Sequence, residues 1–264
     1  MREDAQRAPW AQASRRGFLC GCAACAAAAL LRPAVAQEAP PPLGFRALAD
    51  HIWLHTSWLK VGQAYAPSNG LVVMGDGEVL LIDTAWTEPQ TDALLRRIGE
   101  VAPGAPITLL VTHAHEDRMA GLHLLHRRGA RSLAHAETRA LATARGFGTV
   151  QQSWSGSEAM IGPGGRRVEL LYPGPAHTRD NVVAYVPDAE LLFGGCMIRS
   201  KALDTLGNMA DAVLCRWPAA LDAVARRFGR ANTVVPGHGD AGAGDLIDHT
   251  RALAQAASAK LACG

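Results

Sequence analysis

The feature that most constrains this chain is a cluster of metal-binding side chains directly after a buried strand. Residues 107–111, Ile-Thr-Leu-Leu-Val, have the length and composition of a strand buried on both faces. His113, His115 and Asp117 follow it at once. Two imidazoles and a carboxylate suit a borderline-soft divalent ion, and zinc is the best match. The sequence therefore predicts a metal site at a strand end, which is catalytic if one coordination position stays open.

Three more residues of metal-binding type lie beside glycines or turn residues later in the chain. They are His177 in Pro173-Gly-Pro-Ala-His177, Cys196 in Phe193-Gly-Gly-Cys196 and His238 in Val235-Pro-Gly-His-Gly239. Any one of them alone is more simply read as a satisfied structural residue. Isolated structural residues have no reason to follow strand ends repeatedly, however, so we interpret all six together as ligands. Six ligands would serve two ions.

The secondary-structure pattern has two similar halves. In the first half, the hairpin signal Gly75-Asp-Gly77 joins two β-type runs, and the capping box Thr87-Glu-Pro-Gln90 begins a helix. Strands are predicted at 52–56, 71–74, 78–83, 107–112, 131–134, 168–172, 182–186, 190–193 and 233–235. Further helices are predicted at 122–128, 136–145, about 218–228 and from 245. Helices outside two β-rich halves, with ligands on loops at one edge, predict a mixed α/β (α+β) fold: a four-layer αββα sandwich rather than a doubly wound parallel sheet.

Charge argues against a nucleic-acid partner. Of the 26 basic and 24 acidic residues, residues 1–36 contain five arginines and two acids, which leaves 21 basic and 22 acidic residues beyond them. The remainder is nearly neutral and has no basic patch interleaved with aromatic residues. With 264 residues, 48% of them hydrophobic, the chain can bury a sizeable core, and we expect a globular monomer.

The N-terminus resembles a twin-arginine export signal. Ser14-Arg-Arg-Gly-Phe-Leu19 precedes an apolar stretch over 17–31, too short to span a bilayer comfortably, and Ala34-Val-Ala36 matches a cleavage site. We expect a signal peptide over 1–36, a Pro-rich linker over 37–43 and one domain over 44–264. The expected location is the periplasm, reached through the twin-arginine export machinery. A membrane anchor, or a lipid on Cys22 or Cys25, is the alternative.

Cysteine usage fits this interpretation. Cleavage of the signal leaves Cys196, Cys215 and Cys263, and an odd number means that at least one is unpaired or bound to a metal. Cys196 has the surroundings of a ligand. We expect Cys215 to pack in a core and Cys263 to carry a free thiol at a mobile terminus.

Taken in order, the motifs resemble the metallo-β-lactamase superfamily over essentially all of residues 44–264. A generic hydrolase of that fold has His-x-His-x-Asp-His, whereas this chain has Arg118 at the last position and offers Cys196 instead. This is similar to the class B β-lactamases whose second zinc is held by Asp, Cys and His. The supporting motifs are Ile82-Asp-Thr-Ala-Trp86, Gly174-Pro-Ala-His-Thr-Arg-Asp-Asn181, Leu192-Phe-Gly-Gly-Cys196 and Leu206-Gly-Asn208.

The resemblance implies a division of the ligands and a reaction. One zinc ion would bind His113, His115 and His177, and a second would bind Asp117, Cys196 and His238. A zinc-bound hydroxide, oriented by Asp117, would hydrolyse the β-lactam amide bond of penicillins, cephalosporins and carbapenems, which would confer antibiotic resistance. No nucleophile from the protein is required.

The resemblance also implies substrate contacts. Arg199 stands where the family more often has Lys and would bind the substrate carboxylate, and Asn208 would support the developing oxyanion. Trp58, in the predicted flap over residues 58–65, would cover apolar substituents. The alternatives are a solvated charge at Arg199, a turn residue at Asn208 and a core or hairpin residue at Trp58. Asp83 and Arg118 are interpreted as anchors of the metal loop rather than as ligands.

Two other functions stay open at this point. One is a hydrolase of thioesters, lactones or other esters on the same fold, and the other is a zinc-binding protein without catalytic activity. The remaining histidines are expected to be ordinary surface or helix residues: His51, His55, His123, His126, His135 and His249.

Overall fold

The computed structural model describes residues 39–261 and residue 263, so the predicted signal peptide lies outside the described residues. The strands are β1 Gly44–Ala49, β2 Ile52–Val61, β3 Ala64–Met74, β4 Val79–Ile82, β5 Ile107–Val111, β6 Arg131–His135, β7 Gln152–Trp154, β8 Glu158–Ile161, β9 Val168–Leu171, β10 Val183–Val186, β11 Leu191–Gly195 and β12 Thr233–Pro236. The helices are α1 Glu88–Val101, α2 Glu116–Met119, α3 Leu122–Arg127, α4 Ala136–Ala144, α5 Trp217–Phe228 and α6 Asp245–Ser258. Among these, no helix has the length and apolar character needed to cross a membrane.

The strands form two sheets that face each other. The first has the order β1-β2-β3-β4-β5-β6-β7, and the second has the order β12-β11-β10-β9-β8. Pairing in the first sheet is antiparallel from β1 to β4 and parallel from β4 to β7. In the second sheet only β11 and β12 pair in parallel. Because the carboxyl ends of parallel neighbours meet at one edge, loops after β4, β5, β11 and β12 converge there.

Three apolar clusters show how the layers pack. The first lies between the sheets and contains Leu71, Leu110, Phe193 and Val235. A second packs α1, α3 and α4 against the outer face of the first sheet, and a third packs α5 and α6 against the second sheet. This arrangement is the predicted αββα sandwich.

Helix α1 begins where the capping box predicts. The Thr87 side chain accepts a hydrogen bond from the Gln90 amide, which satisfies one of the free amides of the first turn. Thr91, Leu94 and Ile98, spaced by three and four residues, are the buried residues of this helix. The helix is therefore held by its cap and by one apolar face.

The structure corrects the prediction for two cysteines. Cys215 is exposed rather than packed in a core, and it forms a disulfide with Cys263, 48 residues further along the chain. The thiol of Cys263 is therefore not free. Among the described residues, Cys196 is the free cysteine, and it is buried.

Two histidines expected at the surface are buried instead. His55 lies within β2 and is completely buried, and His135 at the end of β6 is 5% exposed. His55 is covered by Gly70 and Asp83, and His135 stacks on Tyr172, which are contacts with distant segments that a short β-type run does not reveal.

Candidate metal centre

Three histidine rings meet at the converging edge of the first sheet. His113 and His115 lie on the loop between β5 and α2, and His177 lies on the loop that follows β9. Their ring centroids are 4.7 Å, 5.0 Å and 5.2 Å apart, and every pair is edge-on. The three rings therefore pack directly against one another.

The hydrogen bonds around these rings leave nitrogens available for a metal. His113 Nδ1 is 3.3 Å from the Thr112 hydroxyl, and its Nε2 is buried without a hydrogen-bond partner. His115 Nε2 is 2.8 Å from a carboxylate oxygen of Asp211, which leaves Nδ1 for another partner. Both ring nitrogens of His177 are buried and unpaired. Buried polar atoms are normally paired, so this pattern fits a metal ion.

The protonation states of His113 and His177 also favour metal binding. Burial, together with the charge of neighbouring histidines, lowers the pKa of His113 well below its usual range and that of His177 to about 3. Both rings are therefore neutral near pH 7, which is the form of imidazole that binds metals.

A second group of ligand type adjoins the first. Cys196 follows β11 and His238 follows β12, and the Cys196 sulfur is 3.1 Å from His238 Nε2. An oxygen of Asp117 lies 3.3 Å from the same Nε2 and 3.6 Å from the sulfur. His238 Nδ1 is hydrogen bonded to the Pro67 carbonyl, so its Nε2 faces the group. A thiolate, a carboxylate and an imidazole are a donor set suited to zinc.

The two groups lie so close that possible ligand sets also draw members from both. Ligand atoms of His113, His177 and Cys196 lie within 4.8 Å of one another, as do those of His113, His115 and Asp117, and those of Asp117, Cys196 and His238. All six predicted ligands thus lie close together, with His113 buried behind the five that line the cavity. Asp117, on the first turn of α2, stands between the two groups.

Arg118 lies at the bottom of this arrangement, completely buried. Its guanidinium donates to Asp117 at 2.7 Å, to the Cys196 sulfur at 3.0 Å and to the Asn69 carbonyl at 2.6 Å. A guanidinium has no acceptor atom with which to bind a metal ion. The hydrogen bonds that Arg118 makes to these groups support its interpretation as an anchor of the metal loop.

Charge within the second group is balanced by these contacts. Burial alone would raise the pKa of Asp117, but Arg118 and His238 hold it well below its usual range. Burial alone would lower the pKa of His238, but the charge of Cys196 and hydrogen bonds to Asp117 and Cys196 raise it to about 10. Without a metal, cationic Arg118 and protonated His238 thus balance the negative charge of Asp117.

Asp83, directly after β4, anchors the loop that carries the ligands. Its carboxylate accepts hydrogen bonds from the Thr112 amide and hydroxyl, both at 2.8 Å, and from Arg118 at 3.3 Å. Its backbone has a positive φ of 61°, which few non-glycine residues adopt. Burial raises its pKa to about 6 despite the nearby Arg118 charge.

The metal-binding groups open into a cavity of about 460 Å³. His115, Asp117, His177, Cys196 and His238 form part of its lining. The opposite walls are largely apolar and are formed by Val61, Ala66, Pro67, Trp86 and Leu203. The cavity can therefore hold a small organic molecule against the metal centre.

Arg199 presents a cation to this cavity. The residue is only 7% exposed, and its Nε donates to the Thr205 carbonyl at 3.0 Å. A Cβ atom on Gly207 would lie 3.0 Å from an Arg199 Nη atom, and Gly207 has a φ of 76°, so glycine is required for this approach. Arg199 is thus a positioned charge rather than a solvated one, and burial lowers its pKa.

Asn208 lies on the cavity rim and is exposed. Its side-chain oxygen accepts a hydrogen bond from the Ala210 amide at 3.1 Å. This bond belongs to a turn, and it leaves the amide nitrogen of Asn208 for a substrate. The turn and substrate interpretations are therefore compatible.

The structure places Trp58 outside the lining of the cavity. Its indole donates to the Pro42 carbonyl at 3.2 Å, and its backbone exchanges two hydrogen bonds with the side chain of Gln90, at 2.7 Å and 2.8 Å. Trp58 is not among the residues that line the cavity, whereas Val61, nearer the tip of the β2–β3 hairpin, is. The reason is the direction of the side chain, since neighbouring residues of a strand face opposite sides.

Two residues of the site have no individual sequence prediction. Trp86 lines the cavity, with its ring 5.6 Å from that of His238, and appeared only within a longer motif. Asp211 contacts the ligand His115 from a position 96 residues further along the chain. No sequence motif links Asp211 to His115, because the two residues are so far apart in the chain.

Comparison with known proteins agrees with this geometry. The family model described as the metallo-beta-lactamase superfamily matches residues 65–238. The chain is 34% identical over 207 residues to a metallo-beta-lactamase type 2 of Bacillus cereus, with 77% of this chain and 79% of that protein covered. It is 32% identical over 233 residues to one of Pseudomonas aeruginosa, with 88% and 90% covered.

Solved structures are similar over nearly their whole length. The DIM-1 metallo-beta-lactamase exposed to ceftazidime superimposes with a TM-score of 0.79 at 33% identity, with 84% of this chain and 100% of that chain covered. FIM-1 from Pseudomonas aeruginosa, in its mono-zinc form, gives a TM-score of 0.76 at 36% identity, with 84% and 99% covered.

Proposed function

Because this chain belongs to the metallo-β-lactamase superfamily, we infer that it is a metal-dependent β-lactam hydrolase, closest to the class B enzymes with an Asp-Cys-His second site. The observation that carries this inference is the gathering of six ligand-type residues, five of which line a largely apolar cavity, with unpaired buried imidazoles among them. We further propose that the site holds two zinc ions and that carbapenems are among the substrates.

The donor sets support zinc at both positions. His113, His115 and His177 would hold one ion, and Asp117, Cys196 and His238 would hold the other. Imidazole nitrogen and thiolate are preferred zinc ligands, and three protein ligands leave room for water. When bound, zinc supplies water acidified to a pKa near 7 and positive charge beside the reacting amide.

The chain's own residues would bind and orient the substrate. Arg199, with its two terminal nitrogens near the cavity, fits the carboxylate that most β-lactams carry. The Asn208 amide can donate to the carbonyl oxygen as negative charge develops there. Asp117 carries its carboxylate between the two ligand groups, where it can accept a proton or orient the attacking water.

The decisive experiment is hydrolysis of a carbapenem by purified residues 37–264 with added zinc, followed by ultraviolet absorbance. A chelator-treated sample and the variant Asp117→Asn are the controls. We expect turnover that the chelator abolishes and that readdition of zinc restores. No turnover of carbapenem, penicillin or cephalosporin with two zinc ions bound would favour the alternative, hydrolysis of thioesters, lactones or other esters. No turnover of any of these would favour the non-catalytic zinc-binding protein.

We also propose export to the periplasm by the twin-arginine machinery. The support is the motif Ser14-Arg-Arg-Gly-Phe-Leu19 together with the Cys215–Cys263 disulfide, since disulfides persist in oxidising compartments. Replacing Arg15 and Arg16 together by Lys should leave the protein in the cytoplasm, as fractionation would detect. Unchanged periplasmic protein would contradict this route. We propose a monomer, which light scattering of the purified protein would test.

A further inference from the structure

We propose that Arg145 is a positioning residue that holds His115 in the tautomer and orientation in which Nδ1 faces the metal. The proposal rests on the proposed function only in that His115 binds a metal ion. Arg145 lies directly after α4, outside the ligand set and outside the cavity lining.

The guanidinium of Arg145 joins two segments that meet at the metal centre. One terminal nitrogen donates at 3.0 Å to the carbonyl of Ala114, the residue between His113 and His115. The other lies 2.9 Å from one carboxylate oxygen of Asp211. A planar guanidinium can satisfy both acceptors at once, so it fixes the distance between the two segments.

Asp211 connects the Arg145 guanidinium to His115. Its second carboxylate oxygen is 2.8 Å from His115 Nε2. Because a carboxylate only accepts hydrogen bonds, Nε2 is the donor of this bond, which leaves Nδ1 as the nitrogen that can bind a metal. A hydrogen bond of this kind fixes the ring of a metal-binding histidine.

Arg145 is needed because Asp211 has little other support. The Asp211 side chain is 38% exposed and lies on the long connection between β11 and α5. Among the described residues, its side chain contacts Arg145 and His115. Without the guanidinium, the carboxylate would be free to turn toward water, and His115 would lose its orienting partner.

The connection that carries Asp211 also forms part of the cavity rim. Asn208, on the rim, precedes Asp211 by three residues. Beyond Asp211, the Val213 amide donates at 2.8 Å to the carbonyl of Ala176, which precedes the ligand His177. This connection is therefore tied to the metal loops at Asp211 and again at Val213.

The test compares Arg145→Met, Arg145→Lys and the control Arg139→Met in the mature protein. Arg139 lies on the same helix and makes only an exposed contact with Ser153. Zinc affinity is measured by competition with a chromophoric chelator, and coordination by the absorption spectrum of the cobalt-substituted protein. We expect Arg145→Met to weaken the three-histidine site about 10-fold and to shift the cobalt bands, with the control unchanged. Lysine should recover only part of the affinity because one ammonium cannot reproduce the planar fork.

The route through Asp211 is tested by a double-mutant cycle. If Arg145 acts through Asp211, Arg145→Met should add little to the loss caused by Asp211→Asn. Additive losses would overturn this route, and an Arg145→Met protein with the affinity and cobalt spectrum of the wild type would overturn the proposal. None of these readouts requires β-lactam turnover, so the proposal can fail while the proposed function holds. If the wild type itself bound no metal, both would fail.

Discussion

The guanidinium of Arg118 donates to the carboxylate of Asp117 across 2.7 Å, with both groups shielded from water. The same guanidinium also contacts Cys196, a ligand on the opposite sheet. One buried cation therefore supports a carboxylate and a thiol at the junction of the two halves. Removing one member of such a network leaves uncompensated buried charge.

Replacing Arg118 by Ala should accordingly destabilise the metal-free protein by about 3 kcal/mol or more. Added zinc should reduce the loss, because the ion neutralises the same carboxylate and thiol and binds only the folded state. Urea unfolding with chelator and with zinc measures both effects. Arg96→Ala, which removes an exposed helical ion pair, is the control and should have little effect. A loss equal to that of the control would contradict the prediction.

His55 should make stability fall as the solution is acidified. Burial lowers its pKa from 6.5 to about 4, although its ring is hydrogen bonded to the Asp83 carbonyl. Between these values the unfolded chain binds a proton that the folded chain does not, so stability is lost as the pH falls through that range. At pH 5 the loss due to His55 should be about 2 kcal/mol relative to neutral pH.

The variant His55→Gln removes this titration. In metal-free protein, acidification from about pH 7.5 to pH 5 should lower the unfolding free energy of both proteins to different extents. The wild type should lose about 2 kcal/mol more than His55→Gln. The exposed His51→Asn is the control for loss of a histidine. A difference that does not vary with pH would show that His55 is protonated alike in the folded and unfolded states.

The disulfide between Cys215 and Cys263 should stabilise the protein by restricting the unfolded chain. The bridge spans 48 residues, for which the loss of chain entropy corresponds to about 3 to 4 kcal/mol. Cys263→Ser should lower the unfolding free energy by that amount, and the Cys215→Ser/Cys263→Ser double variant should be no less stable. Thiol titration of the denatured, unreduced mature protein should find one thiol. Three thiols, or unaltered stability in the variants, would contradict the bridge.

The clustering of the six candidate ligands was predictable from sequence because each follows a strand whose apolar run ends at a recognisable turn. Strands β11 and β12 pair in parallel, so Cys196 and His238, which follow them, lie at the same edge of the sheet. The position of Trp58 outside the cavity lining was not predictable in the same way, because the direction of its side chain depends on the alternation along β2. The disulfide and the contact of Arg145 with Asp211 join residues far apart in the chain, and no local pattern encodes such a pairing.

Arg199 provides a test of how the cavity holds its substrate. Its guanidinium is positioned by Thr205 and Gly207, and the substrate carboxylate it would bind is not itself a reacting group. A hydrogen bond to a charged group contributes about 1.5 to 3 kcal/mol, so Arg199→Ala should raise KM roughly 10- to 100-fold and leave kcat nearly unchanged. Arg199→Lys should keep much of the affinity for the carboxylate, since the charge remains, but lose the bond to Thr205. Steady-state kinetics on one cephalosporin and one carbapenem, with the exposed Arg226→Ala as control, separate these effects. An equal fall of kcat at unchanged KM would instead assign Arg199 to the reacting centre.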